Sequence, residues 1–134
     1  MPSIQSRTDR RLRGAENGSA PVEFVLVAPL IVLVVLAVVQ LALAFHIRTT
    51  LIAAAAEGAR VAAAADRGPQ DGVAKTREVL ANNLAGSVVD SVTAHSERHG
   101  GVIVVTIEVR GRLPLLGLLG PETLEITGHA VEEE

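Results

Sequence analysis

The sequence predicts an α+β protein. A long N-terminal transmembrane helix extends into an Ala-rich stalk, and a short helix then packs on a small antiparallel sheet of about three strands. Three observations predict this. Residues 24–47 carry no formal charge and read FVLVAPLIVLVVLAVVQLALAFHI. Residues 53–65 hold nine alanines in thirteen positions. Beyond residue 88 the chain turns to β-branched residues alternating with polar ones, punctuated by Gly and Pro. The 134 residues thus divide into a basic leader (1–18), a transmembrane helix (19–47), a helical stalk (48–66) and a small α+β domain (67–134).

Composition narrows the chemistry. The absence of cysteine removes disulfides, Cys-ligated zinc and thiol nucleophiles. Two Phe with no Trp or Tyr leave no stacking platform for single-stranded nucleic acid. A net charge of -3 argues against nucleic acid as a partner.

The uncharged run spans roughly 36 Å as a helix, enough for a hydrocarbon core of ~30 Å. A buried core helix is the competing assignment, but the remaining chain is too small to surround a helix that is apolar on every side. Arg7, Arg10, Arg11 and Arg13 precede the run, against Asp9 and Glu16. After it come eight basic and twelve acidic residues. This bias predicts a single-pass cell membrane protein with a cytoplasmic N-terminus and an extracytoplasmic C-terminal domain. Ala42-Leu43-Ala44 fits a signal-peptidase site. The apolar run is nevertheless longer than the 7–15 residues usual for a cleaved signal.

A carboxylate against a membrane span is costly unless it is paired or reaches the interface. Glu23 takes that position, five residues after Gly18 in Gly18-Ser19-Ala20-Pro21-Val22-Glu23-Phe24. This layout resembles type IV prepilin processing sites, which implies cleavage after Gly18 by a prepilin peptidase and a new amine at Ser19. Glu23, expected in the first helical turn, would pair with that amine on its own or a neighbouring chain and complement the helix dipole. Without processing, Glu23 is an N-terminal helix residue at the headgroups. Pro21 suits a first turn, where no amide donor is needed.

Residues 18–65 resemble the TadE-like family of tight-adherence pilus assembly proteins. The resemblance rests on the segment from Gly18 to Phe24, on Pro29 within Val27-Ala28-Pro29-Leu30, and on the small-residue block Ala53 to Ala63 with its Glu57-Gly58-Ala59-Arg60 core. It implies a processed minor pseudopilin whose partners are the lipid bilayer, a prepilin peptidase and other pilins or assembly platform proteins. Glu23, Phe24 and Pro29 would set helix register and assembly; Glu57, Gly58, Ala59 and Arg60 would pack the stalk. Gln40 stands where many relatives carry a second acidic residue. Two other classes stay open: an unprocessed signal-anchored protein whose outer domain binds a ligand or envelope partner, and a domain secreted after Ala44.

The nine alanines favour helix. Their small side chains permit close approach, either to neighbouring helices or to the outer domain. The segment from Asp66 to Gly72 should stop that helix. A second helix is predicted over 73–84, with Val73, Arg77, Leu80, Ala81 and Leu84 on one face. Strands follow over 88–95, 102–110 and 123–131, with a turn over 96–101. In the middle strand Ile103, Val105, Ile107 and Val109 share a face; in the last, Leu124, Ile126 and Ala130 point inward. The apolar segment from Leu113 to Pro121 is a core lid or a partner contact. Such a domain of about 65 residues is marginal without staples.

Nothing in the pattern supports an enzyme or a cofactor. His95, Glu97 and His99 cluster near the turn, but they name no full ligand set, so no metal site is expected.

Overall fold

The computed structural model describes residues 19–113 and 122–132, with only the backbone considered at Ser19 and Glu122. It contains α1 (Ser19–Ala63), α2 (Pro69–Asn83), β1 (Val89–His99), β2 (Val102–Leu113) and β3 (Glu122–Val131). The predicted α+β class is the one observed. The chain forms two units, one up to Val39 and one from Gln40 onward. The predicted leader over 1–18 and the apolar linker over 114–121 lie outside the described residues.

In the first unit, the α1 residues from Phe24 to Val39 carry no charge, and all but the partly buried Ala28 are exposed. Pro29 lies inside the helix. A proline there removes one backbone hydrogen bond, which membrane helices tolerate when the freed carbonyl is satisfied locally.

In the second unit, the Ala-rich part of α1 is a wall of the core. Ile47, Leu51, Ala54, Ala55, Gly58, Ala59, Ala62 and Ala63 are buried. Their spacing traces one helical stripe. The core is therefore larger than the three strands and one helix read from the sequence, because residues assigned to a stalk supply one side of it. Val105, Ile107 and Val109 of β2 are at most 1% exposed and fill the middle of that core.

The sheet is an antiparallel meander in the order β1-β2-β3. β2 runs back along α1. Val105 clusters with Ala62 and Ala63, while a Cβ at Gly111 would lie 3.0 Å from Leu51 Cδ1. β1 is longer than predicted, because the expected turn over 96–101 contracts to two residues. Gly100 (φ 58) and Gly101 (φ 94) both adopt left-handed backbone, so a two-residue loop closes the hairpin. The register continues through Glu97↔Val104 to His99↔Val102.

The second helix begins four residues earlier than predicted. Gly68 is its N-cap and Pro69 its first residue. The Gly68 amide donates to Asp71 Oδ2 at 3.0 Å, and the Asp71 amide donates to the Gly68 carbonyl at 3.0 Å. The Gly, Pro and Asp that end α1 thus also start α2. Asp71→Ala should cost about 1 kcal/mol, read as a lower thermal midpoint of the full chain in detergent. The face shared by Val73, Arg77, Leu80, Ala81 and Leu84 is only partly buried. Gly72, Val73, Thr76 and Leu80 are buried, whereas Arg77 and Ala81 are exposed. A threonine displaces the arginine because its hydroxyl can be satisfied inside by local carbonyls.

Candidate membrane and assembly site

The apolar run of α1 is long enough to cross a bilayer, and none of its most apolar window is buried among the described residues. Phe24 is 71% exposed and Leu36 50%. A helix that is apolar all round and covered by no protein needs an apolar solvent. Hydroxyls mark where the run ends. Thr49 Oγ1 donates to the carbonyls of Phe45 and His46, each at 3.0 Å, and Thr50 Oγ1 donates to that of His46 at 2.8 Å. These threonines satisfy their hydroxyls within the helix and need no water.

Ser19 is the first described residue of α1, and Glu23 follows at i+4. That spacing puts Glu23 on the same helical face as Ser19, one turn on. Glu23, Phe24 and Pro29 are exposed. Gly18, the proposed cleavage residue, lies outside the described residues.

The Glu57 to Arg60 block divides by face. Arg60 Nη2 donates to Glu57 Oε2 at 2.6 Å on the surface, an i,i+3 pair of small energetic weight. Gly58 and Ala59 are buried in the second unit. A Cβ at Gly58 would strike Thr76 Oγ1 and lie 2.8 Å from the Gly72 carbonyl; one at Gly72 would lie 2.6 Å from Ala62 Cβ. α1 and α2 thus cross backbone to backbone at two glycines. Thr76, fully buried, donates to the Gly72 carbonyl at 2.8 Å and approaches the Ala54 carbonyl at 3.3 Å. Sequence reasoning singled out Gly58 but missed Gly72 and Thr76. Their signal was the G-x3-T spacing, which puts both residues on one helical face.

His95, Glu97 and His99 lie at alternating positions of β1, and all three are exposed. His99 Nδ1 is 4.0 Å from Glu97 Oε2. No group able to hold a metal ion is present among the described residues. His95 instead sits in register with Thr106, whose hydroxyl is 2.9 Å from His129 Nδ1. Nearby, ion pairs stitch the strands: Arg112 Nε donates to Asp90 Oδ2 at 2.8 Å and Arg110 Nε to Glu125 Oε2 at 3.3 Å.

Neither the curated proteins nor the solved structures yield a match to this chain. The protein-family comparison does, over the segment that holds Glu23, the apolar run and the Gly58–Thr76 contact's helix. Residues 18–60, about a third of the chain, match the family described as TadE-like protein.

Proposed function

We propose that this chain is a membrane-anchored minor pseudopilin for tight-adherence pilus assembly, cut after Gly18 by a prepilin peptidase. The observation that carries the reading is the placement of Glu23 at i+4 from Ser19, at the start of an uncovered apolar helix within the TadE-like segment. Cleavage removes the basic leader from the cytoplasmic side and leaves the helix in the bilayer. The new Ser19 amine is a cation at the positive end of a helix dipole, and it needs an anion in a medium that solvates charge poorly. Glu23 supplies that anion, to its own amine or to that of a neighbouring chain. Other pilins or platform proteins then pack on the exposed face of α1, and the outer domain stands outside the cell. In this role the chain is a protease substrate and a structural component, not a catalyst.

The mature protein from its native host should begin at Ser19, as read by N-terminal sequencing and intact mass. A start at Met1 or Pro2 would replace this reading with an unprocessed signal anchor whose outer domain binds a ligand or partner. A start at Phe45 would make the chain a secreted domain.

A further inference from the structure

Two open apolar grooves flank α1 where it enters the outer domain. The first, of about 310 Å³, is lined by Leu41, Ala44, Phe45, Leu113 and Leu124, with Arg48 at its side. The second, of about 640 Å³, is lined by Leu43, Ile47, Leu84, Val88 and Leu113, with His46, Asn83, Ser87 and Arg112 as its polar residues. Both have as one wall the last turns of the uncharged run, and both share Leu113 at the end of β2. Residues 41–47 at the end of the uncharged run thus form part of both grooves. Leu41 and Phe45 are each 59% exposed, a cost that water would impose and hydrocarbon would not. Arg48 is exposed and makes no ion pair among the described residues, although carboxylates elsewhere in the domain pair with Arg60, Arg110 and Arg112. A guanidinium at the rim of an apolar groove, at the end of a membrane run, matches a lipid phosphate.

We propose that these two grooves hold acyl chains of the phospholipids around α1, with Arg48 against a headgroup phosphate. The outer domain is then seated in the leaflet surface through Leu113 and Leu124, not held clear of it on a stalk. The proposal goes beyond the pseudopilin reading: it requires α1 to lie in a bilayer but not that Gly18 be cut.

The chain has no cysteine, so single substitutions provide unique labelling sites. Thr123→Cys and Ser87→Cys place an environment-sensitive fluorophore at the first and second grooves, and both residues are exposed. Glu97→Cys labels the far end of the sheet beside Gly100, and Val34→Cys labels the apolar run. The full-length protein is reconstituted in phosphatidylethanolamine and phosphatidylglycerol vesicles containing lipids with a nitroxide near the headgroup end of the acyl chain. For Val34, a nitroxide deep in the chain is used. The Thr123 and Ser87 labels should lose about half of their fluorescence or more, and the Glu97 label almost none, as for groups at the headgroup–acyl boundary. If Val34 is quenched and Thr123 and Ser87 respond like Glu97, the grooves do not meet lipid and the proposal is overturned while the spanning helix stands. Labels shielded from both the nitroxide and aqueous iodide would show protein in the grooves, either the 114–121 linker or a second copy, and would also overturn it. An unquenched Val34 label removes both the span and the grooves' ligand.

Discussion

Gly128→Ala is expected to destabilise the C-terminal domain by about 2–3 kcal/mol, through one methyl group. Gly128 is buried on the inner face of β3, opposite Ile107 in the register. A Cβ built there lies 2.5 Å from the carbonyl carbon and oxygen of Ala55 and 2.8 Å from the Ala56 amide nitrogen. These are backbone atoms of α1 and cannot swing aside as a side chain can. The strand must move off the helix, opening contacts along a core that close packing otherwise fills. For a domain of this size each kcal/mol lowers the melting point by ~4–8 °C, so scanning calorimetry of the full chain in detergent should show a fall of roughly 10–20 °C. Gly86→Ala is the matched control, since a Cβ there meets nothing within 4 Å. A Gly128→Ala midpoint within about 3 °C of that control would show that β3 does not rest on α1.

Glu23→Ala should leave the chain in the membrane and processed to Ser19, and yet abolish its use in assembly. Under the proposed reading Glu23 meets an amine at the membrane edge, where removing one partner of a desolvated pair costs about 3–5 kcal/mol. That corresponds to a loss of roughly 140- to 4,000-fold in the assembly equilibrium. The check is complementation of a deletion strain, with surface pili counted beside the membrane level and N-terminus of the variant. Glu23→Gln tests charge against shape and should fail as well, because the amide keeps the size and loses the anion. Normal piliation by either variant, at a normal membrane level, would sink the role assigned to Glu23.

Much of the fold was legible in the sequence because it depends on local pattern. A run with no charge over residues 24–47 has one low-energy solution in a bilayer, a helix that satisfies its own backbone. The alternation at Val105, Ile107 and Val109 commits that segment to a half-buried strand, and these residues are buried as expected. The errors arose where one residue serves two roles. Gly68, Pro69 and Asp71 read as breakers, yet the same group caps α2. Ser96 to His99 read as turn because they are polar. An exposed strand face tolerates polar residues, and only the positive φ of Gly100 and Gly101 located the loop.

The candidate site divided in the same way. The position of Glu23 relative to Gly18 and to the apolar run is a property of chain order, visible without any fold. The destination of the small residues is not. Alanine and glycine have too little surface to select a partner by hydrophobicity, so their composition permits a helix neighbour in the membrane or a sheet in the same chain equally well. The sequence by itself determined the long apolar run, its Arg-rich flank and the alternating strands, because each follows from the solvation of individual residues. Only the tertiary structure decided that Gly58 meets Gly72 and Gly128 meets Ala55, and so made the Ala-rich stretch a wall of the domain core. Those contacts join residues far apart in the chain, and their requirement is shape: two backbones can approach this closely only where no side chain stands between them.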